Sequence, residues 1–137
     1  MPRIERLLET ALYVANKAKS VAFYETVFGF ATIFEEDRLT ALNVLEQNIL
    51  LLFTRGQSSG INETPGGTIP PHDCYGRSHL AFGIEESELS AWREHLATLD
   101  IAIESEVRSV NGSRSLYFRD PDGHLLEVGT RGLWKIY

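Results

Sequence analysis

Three ionisable side chains stand in strands that are otherwise apolar. In Leu125-Leu126-Glu127-Val128, Leu126 and Val128 point to one face, so Leu125 and Glu127 point to the other. A carboxylate in the middle of such a run must be solvated, paired or bound to a metal. His79 opens the alternating stretch HLAFGI, and Glu9 opens ETALYV. Each has a plain structural explanation: a hydrogen-bonded core histidine, a carboxylate near solvent at a strand start. Taken together, one imidazole and two carboxylates are a donor set for Mn²⁺, Fe²⁺, Ni²⁺ or Zn²⁺, and three protein ligands leave positions open for water or substrate.

The elements that must hold these residues follow from the alternation. Ser115 to Val128, SLYFRDPDGHLLEV, is two short strands around Asp120-Pro121-Asp122-Gly123, where Pro presets one turn position and Gly supplies positive φ. Earlier in the chain, Glu9 to Val14 is a strand with Thr10, Leu12 and Val14 on one face and Glu9, Ala11 and Tyr13 on the other. Asn16 caps a helix from Lys17 to Phe28, and Gly29 ends it. A strand near Phe30 to Phe34 and a hairpin of Leu39 to Val44 with Asn48 to Phe53 come next. Gly56 to Ser78 has no periodicity, and Pro65, Gly66, Gly67, Pro70, Pro71 and Gly76 mark it as a long functional or mobile loop.

After the loop the same order returns: a strand from His79 to Ile84, a helix from about Glu86 to Leu99 with Leu89, Trp92, Leu96 and Leu99 on one stripe, a short strand at Ile101 to Ile103, then the closing hairpin. Residue 79 stands 70 positions after residue 9, and Gly123 to Glu127 stands 76 after Gln47 to Leu51. We therefore expect a single α+β domain over 1–137 made of two βαβββ modules, about 7–55 and about 79–137, joined by loop 56–78. If strands fold over their own helices, the opposite faces curl into a trough. Glu9, Leu51, His79 and Glu127 then occupy four equivalent inward positions.

Composition narrows the class. With 43% hydrophobic and 23% charged residues, the chain has the makeup of a globular protein, and 137 residues suffice for a core. A net charge of −6 without a basic cluster argues against nucleic acid and anionic membranes as partners. One cysteine, Cys74, precludes an internal disulfide framework, and no long apolar segment is present at the N-terminus. We expect a cytoplasmic protein that acts on a small molecule and, by the commonest symmetry, forms a homodimer.

The module pair, the HLAF strand start and YFRDPDGHLLEV resemble the vicinal oxygen chelate superfamily, which holds glyoxalase I, extradiol dioxygenases, fosfomycin-modifying transferases and bleomycin resistance proteins. The resemblance covers nearly the whole chain. It implies two paired βαβββ modules forming a curled mixed sheet around a central cavity, with a divalent metal held by strand residues and chelated by adjacent oxygens of the substrate. By position, His79 and Glu127 match the family's usual ligands. Glu9 stands where a histidine is commonest, and Leu51 where glyoxalase I has a further carboxylate. Ser115 and Tyr117 match positions that contact substrate in fosfomycin transferases.

Two functions follow from this reading. In the first, a metalloenzyme holds the ion with Glu9, His79 and Glu127 as a Lewis acid and acts as a lyase, dioxygenase or thiol transferase. Its catalytic candidates are Tyr117 and Glu9, the latter as general base where it does not bind the ion. Its substrate contacts are Tyr13, Phe53, Ser115, Tyr117 and Arg119. In the second, a metal-free protein of the bleomycin-resistance kind sequesters an aromatic or amphiphilic ligand against Tyr13, Phe53 and Trp134. His72 and Cys74 lie in the loop as lid candidates, whereas His124 alternates away from Glu127 and is not expected to be a ligand.

Overall fold

The computed structural model describes residues 1–137, which divide into two units, Met1–Gly76 and Arg77–Tyr137. In the first, β1 (Glu9–Val14) leads into α1 (Lys17–Phe28), followed by β2 (Ala31–Glu35), β3 (Leu39–Val44) and β4 (Asn48–Thr54). The helix starts where Asn16 Oδ1 accepts the Lys19 amide, and it stops at Gly29, whose φ of 68° is left-handed. The sheet order is β1-β4-β3-β2, with β1 parallel to β4 and the other pairs antiparallel. Leu12, Val14, Leu42, Leu50 and Leu52 are fully buried along with Tyr24 of α1. Their burial, at about 1.5–3 kcal/mol per large side chain, holds α1 to the sheet.

The second unit repeats the plan. It runs through β7 (His79–Ile84), a 3₁₀ turn at Glu86–Glu88, α2 (Leu89–Thr98), β8 (Ser105–Arg108), β9 (Arg114–Arg119) and β10 (Leu125–Thr130). The sheet order is β7-β10-β9-β8, again with its one parallel pair between the first and last strands. Leu116, Phe118, Leu126 and Val128 are fully buried, as is Leu96 of α2. The registers match as well as the order. Glu9 pairs with Ile49 and His79 with Leu125, so Glu9 is equivalent to His79 and Leu51 to Glu127.

Two expectations are corrected. The strand expected at Ile101–Ile103 lies instead at Ser105–Arg108. Asp100 takes φ 55°, the Ile101 amide turns back to Leu96 O, and the first ladder bond to β9 is made by Glu104 N–H to Tyr117 O. The two isoleucines are half-buried in the link from α2, while the true strand is an exposed edge with polar residues and no alternation to read. Within 56–78, a short hairpin forms from β5 (Asn62–Thr64) and β6 (Gly67–Ile69) around Pro65-Gly66, with Thr64 Oγ1 donating to Gly67 O at 2.7 Å.

Candidate metal centre

The inward face of unit 2 brings His79 and Glu127 together. They lie on adjacent parallel strands, one residue apart in register, with His79 Nε2 at 3.2 Å from Glu127 Oε2. The His79 side chain is 48% exposed and that of Glu127 is 5% exposed, so the carboxylate forms the floor and the imidazole the rim. His79 Nδ1 lies 3.0 Å from the carbonyl oxygen of Leu125. A carbonyl only accepts, so Nδ1 carries the hydrogen and Nε2 is the nitrogen turned toward the carboxylate. Two facing electron-pair donors at this distance require a cation between or on them. A second proton on the imidazole is one such cation and a divalent metal is the other. A neutral imidazole oriented by a backbone carbonyl, beside a carboxylate, fits a divalent ion.

Glu127 is held from its other side. Ser115 Oγ, on β9, donates to Glu127 Oε1, and both residues are buried. Tyr117 pairs directly with Glu127 in the β9–β10 ladder, which puts its phenol under the influence of the carboxylate. Burial, then the negative charge of Glu127, pushes this phenol above the usual tyrosine range, so it keeps its proton at neutral pH. The Tyr117 and His79 rings are stacked at 6.3 Å. Arg119 stands apart from this group, its guanidinium bonded to the Glu104 carboxylate and to Gly123 O. Within unit 2 no third His, Cys, Asp or Glu joins the pair.

Glu9 lies in unit 1, exposed, at the rim of a trough of about 600 Å³. Ala11, Leu39, Ala41, Ile49, Leu51 and Phe53 form its apolar floor. Tyr13 and Phe53 stack at 5.6 Å, and His72 closes on both: its Nδ1 is 2.6 Å from Tyr13 Oη, and its ring meets Phe53 edge-on. Arg38 lies over the Phe53 ring. Burial, then the nearby Asp73 carboxylate and Cys74, raises the Tyr13 phenol above its ordinary pKa. The sequence offered His72 as a loop residue and lid candidate, with no partner named. Its contact with Tyr13 spans 59 positions and no local pattern announces it. Trp134, expected beside Tyr13 and Phe53, lines a separate cavity of about 220 Å³ in unit 2 with Gly83, Gly129 and Tyr137.

Comparison with known proteins places this geometry in context. Residues 6–128 match the family model of the Glyoxalase/Bleomycin resistance protein/Dioxygenase superfamily. Metallothiol transferase FosB of Staphylococcus saprophyticus is 32% identical over 93% of this chain and 78% of its own length. The FosB of Shouchella clausii is 35% identical over 85% of this chain and 74% of its own. Among solved structures, lactoylglutathione lyase from Agrobacterium tumefaciens superposes with a TM-score of 0.88 at 32% identity, covering 98% of this chain and 99% of that one. The α+β architecture of two four-stranded mixed sheets superposes on that solved structure, and the chain belongs to the glyoxalase/bleomycin resistance/dioxygenase superfamily.

Proposed function

We propose that this chain is a divalent-metal-dependent enzyme that transfers a small thiol to a substrate whose adjacent oxygens chelate the ion. The observation that carries the proposal is the His79 Nε2–Glu127 Oε2 pair, oriented by Leu125 O and Ser115 Oγ, in a chain 32–35% identical to metallothiol transferases over most of its length. His79 and Glu127 are the two ligands that unit 2 supplies, and Glu9, the register equivalent of His79 in unit 1, is the third ligand expected from the sequence. A bound divalent ion supplies Lewis acidity to the chelating oxygens.

The remaining chemistry belongs to the side chains. In thiol transfer to a strained cyclic ether, a C–S bond forms, a C–O bond breaks, its electron pair goes to oxygen, and the thiol proton is the one that oxygen finally receives. Tyr117, protonated at neutral pH, is the donor toward the substrate's developing oxyanion. Ser115 keeps Glu127 from rotating. Within unit 1, Tyr13, Phe53 and His72 form an aromatic surface suited to an apolar group of a small molecule. The lyase alternative is favoured by the close superposition with lactoylglutathione lyase. Against it stands Leu51, an apolar side chain in the trough floor where the sequence resemblance implies a further carboxylate for glyoxalase I.

The test is a product assay with the purified chain and Mn²⁺. Fosfomycin with cysteine or glutathione is offered in one arm and methylglyoxal with glutathione in the other. We expect a thiol adduct by mass spectrometry that needs the metal and is lost in Glu127→Ala. Lactoylglutathione without any adduct would overturn transfer in favour of the lyase. Ligand binding unaffected by chelators, with no product in either arm, would support a sequestering protein.

A further inference from the structure

His124 is 1% exposed, yet its ring belongs to no part of the chemistry above. It follows the DPDG turn, whose shape is set by Asp120: Oδ1 accepts the amides of Asp122 at 3.0 Å and His124 at 2.8 Å, and Gly123 takes φ 80°. From there the His124 ring reaches across to the start of β7, where its Nδ1 lies 2.9 Å from the Ser78 amide nitrogen. The amide can only donate, so Nδ1 accepts and the ring hydrogen of neutral His124 is on Nε2. Two further bonds join the same two dipeptides. Leu125 N–H donates to Ser78 O at 2.8 Å, and His79 Nδ1–H donates to Leu125 O at 3.0 Å.

We propose that His124 is a positioning residue for the metal ligand His79: by accepting the Ser78 amide, it fixes the first residues of β7 so that the His79 ring stays on Leu125 O with Nε2 facing Glu127. The proposal rests on the metal-centre reading of His79 and goes beyond it by assigning a role to a residue outside the ligand set. Three features support it. Within unit 2, β7 is an edge strand bonded only to β10, and it begins directly after the irregular segment at 70–78. Strand ends so placed are the first to open. The His79 side chain is half exposed, so packing alone does not set its rotamer. Its ring orientation depends on a bond to Leu125 O, and that bond has the right length only while Ser78 and His79 stay in register with His124 and Leu125. The clamp therefore converts a buried, well-anchored turn into the orientation of an exposed ligand.

Three variants separate positioning from general packing. His124→Asn places an amide oxygen at the position of Nδ1, His124→Gln carries its oxygen one bond further out, and His124→Leu fills the volume without an acceptor. Each is measured for Mn²⁺ affinity by calorimetry, for fold by circular dichroism, and, without metal, for the His79 tautomer by ¹⁵N chemical shifts. We expect Leu and Gln to lose about 10- to 100-fold in affinity, the range for residues that orient a metal ligand. They should also lose the Nδ1–H tautomer of His79, while Asn restores most of both. Wild-type affinity and an unchanged His79 tautomer in Gln or Leu would overturn the proposal, as would a folded Asn variant as impaired as Gln. If Leu does not fold, the comparison of Asn with Gln decides. His79→Ala serves as the control: wild-type metal binding there would refute the metal-centre reading itself, whereas the metal-free tautomer still judges the positioning role.

Discussion

At the scale of single residues, Glu127 shows what alternation can and cannot reveal. Its inward direction is readable because Leu126 and Val128 fix the phase of the strand, and the buried carboxylate lies where that phase puts it. Its partners are another matter. Ser115 is in phase on the facing strand and could be placed from the hairpin register, whereas the fit of His79 Nε2 depends on a parallel pairing between strands 46 residues apart. Arg119, expected as a substrate contact on the face of Glu127's hairpin, shows a partner that alternation could not announce: Glu104 of the α2–β8 link. Ser115→Ala removes the bond that steadies Glu127, and we expect metal affinity to fall about tenfold by titration while the fold persists. Tyr117 gives a prediction in pH. Its phenol pKa is raised in the folded protein, so the stability it contributes is complete below the ordinary tyrosine pKa and is lost as pH rises through the raised value. An alkaline absorbance titration should show late phenols from Tyr13 and Tyr117, with the late amplitude reduced by one phenol in Tyr117→Phe.

At the scale of elements, legibility followed local signals. Asn16 and Gly29 mark α1 because capping chemistry is local, and the strands with strict alternation were placed to within a residue or two. β8 and the β5–β6 hairpin lacked an apolar face, so nothing in the chain distinguished them from loop. Replacing the cap tests the first point: Asn16→Ala should lower unfolding free energy by about 1 kcal/mol in denaturant melts. A second element, the segment after β10, was not foreseen. Tyr137 lies directly on Gly83, where even a methyl group would collide with its ring, and its hydroxyl donates to Ile84 O at 3.2 Å. Gly83→Ala should dislodge that segment and speed tryptic cleavage at Arg131 and Lys135 relative to the wild-type chain. An unchanged digestion rate would show that the segment is not held by this contact.

At the scale of the whole molecule, the internal repeat was the most informative feature of the sequence. Two offsets, 70 for the first strand and 76 for the last, anticipated the registers that make Glu9 equivalent to His79 and Leu51 to Glu127. Sequence could mark those four positions because each lies on a strand of known phase. It could not supply the loop contacts of His72 and Arg38, which depend on where 56–78 settles on unit 1. The third ligand is tested through Glu9. If it binds the ion, Glu9→Gln weakens metal binding and Glu9→His keeps or tightens it, since imidazole is the better donor for Ni²⁺ and Zn²⁺. If it is the base, metal stays bound in Glu9→Gln and turnover falls by about 10²- to 10⁴-fold. The expected homodimer is checked by light scattering on the same preparations.

The central claim, a divalent-metal centre built on His79 and Glu127, is tested most directly by calorimetric titration of Mn²⁺, Ni²⁺ and Zn²⁺ into tag-free wild type, His79→Ala and Glu127→Ala. The account predicts stoichiometric binding by the wild-type chain and its loss in both variants. Equal binding by all three proteins, or binding by none, would contradict it.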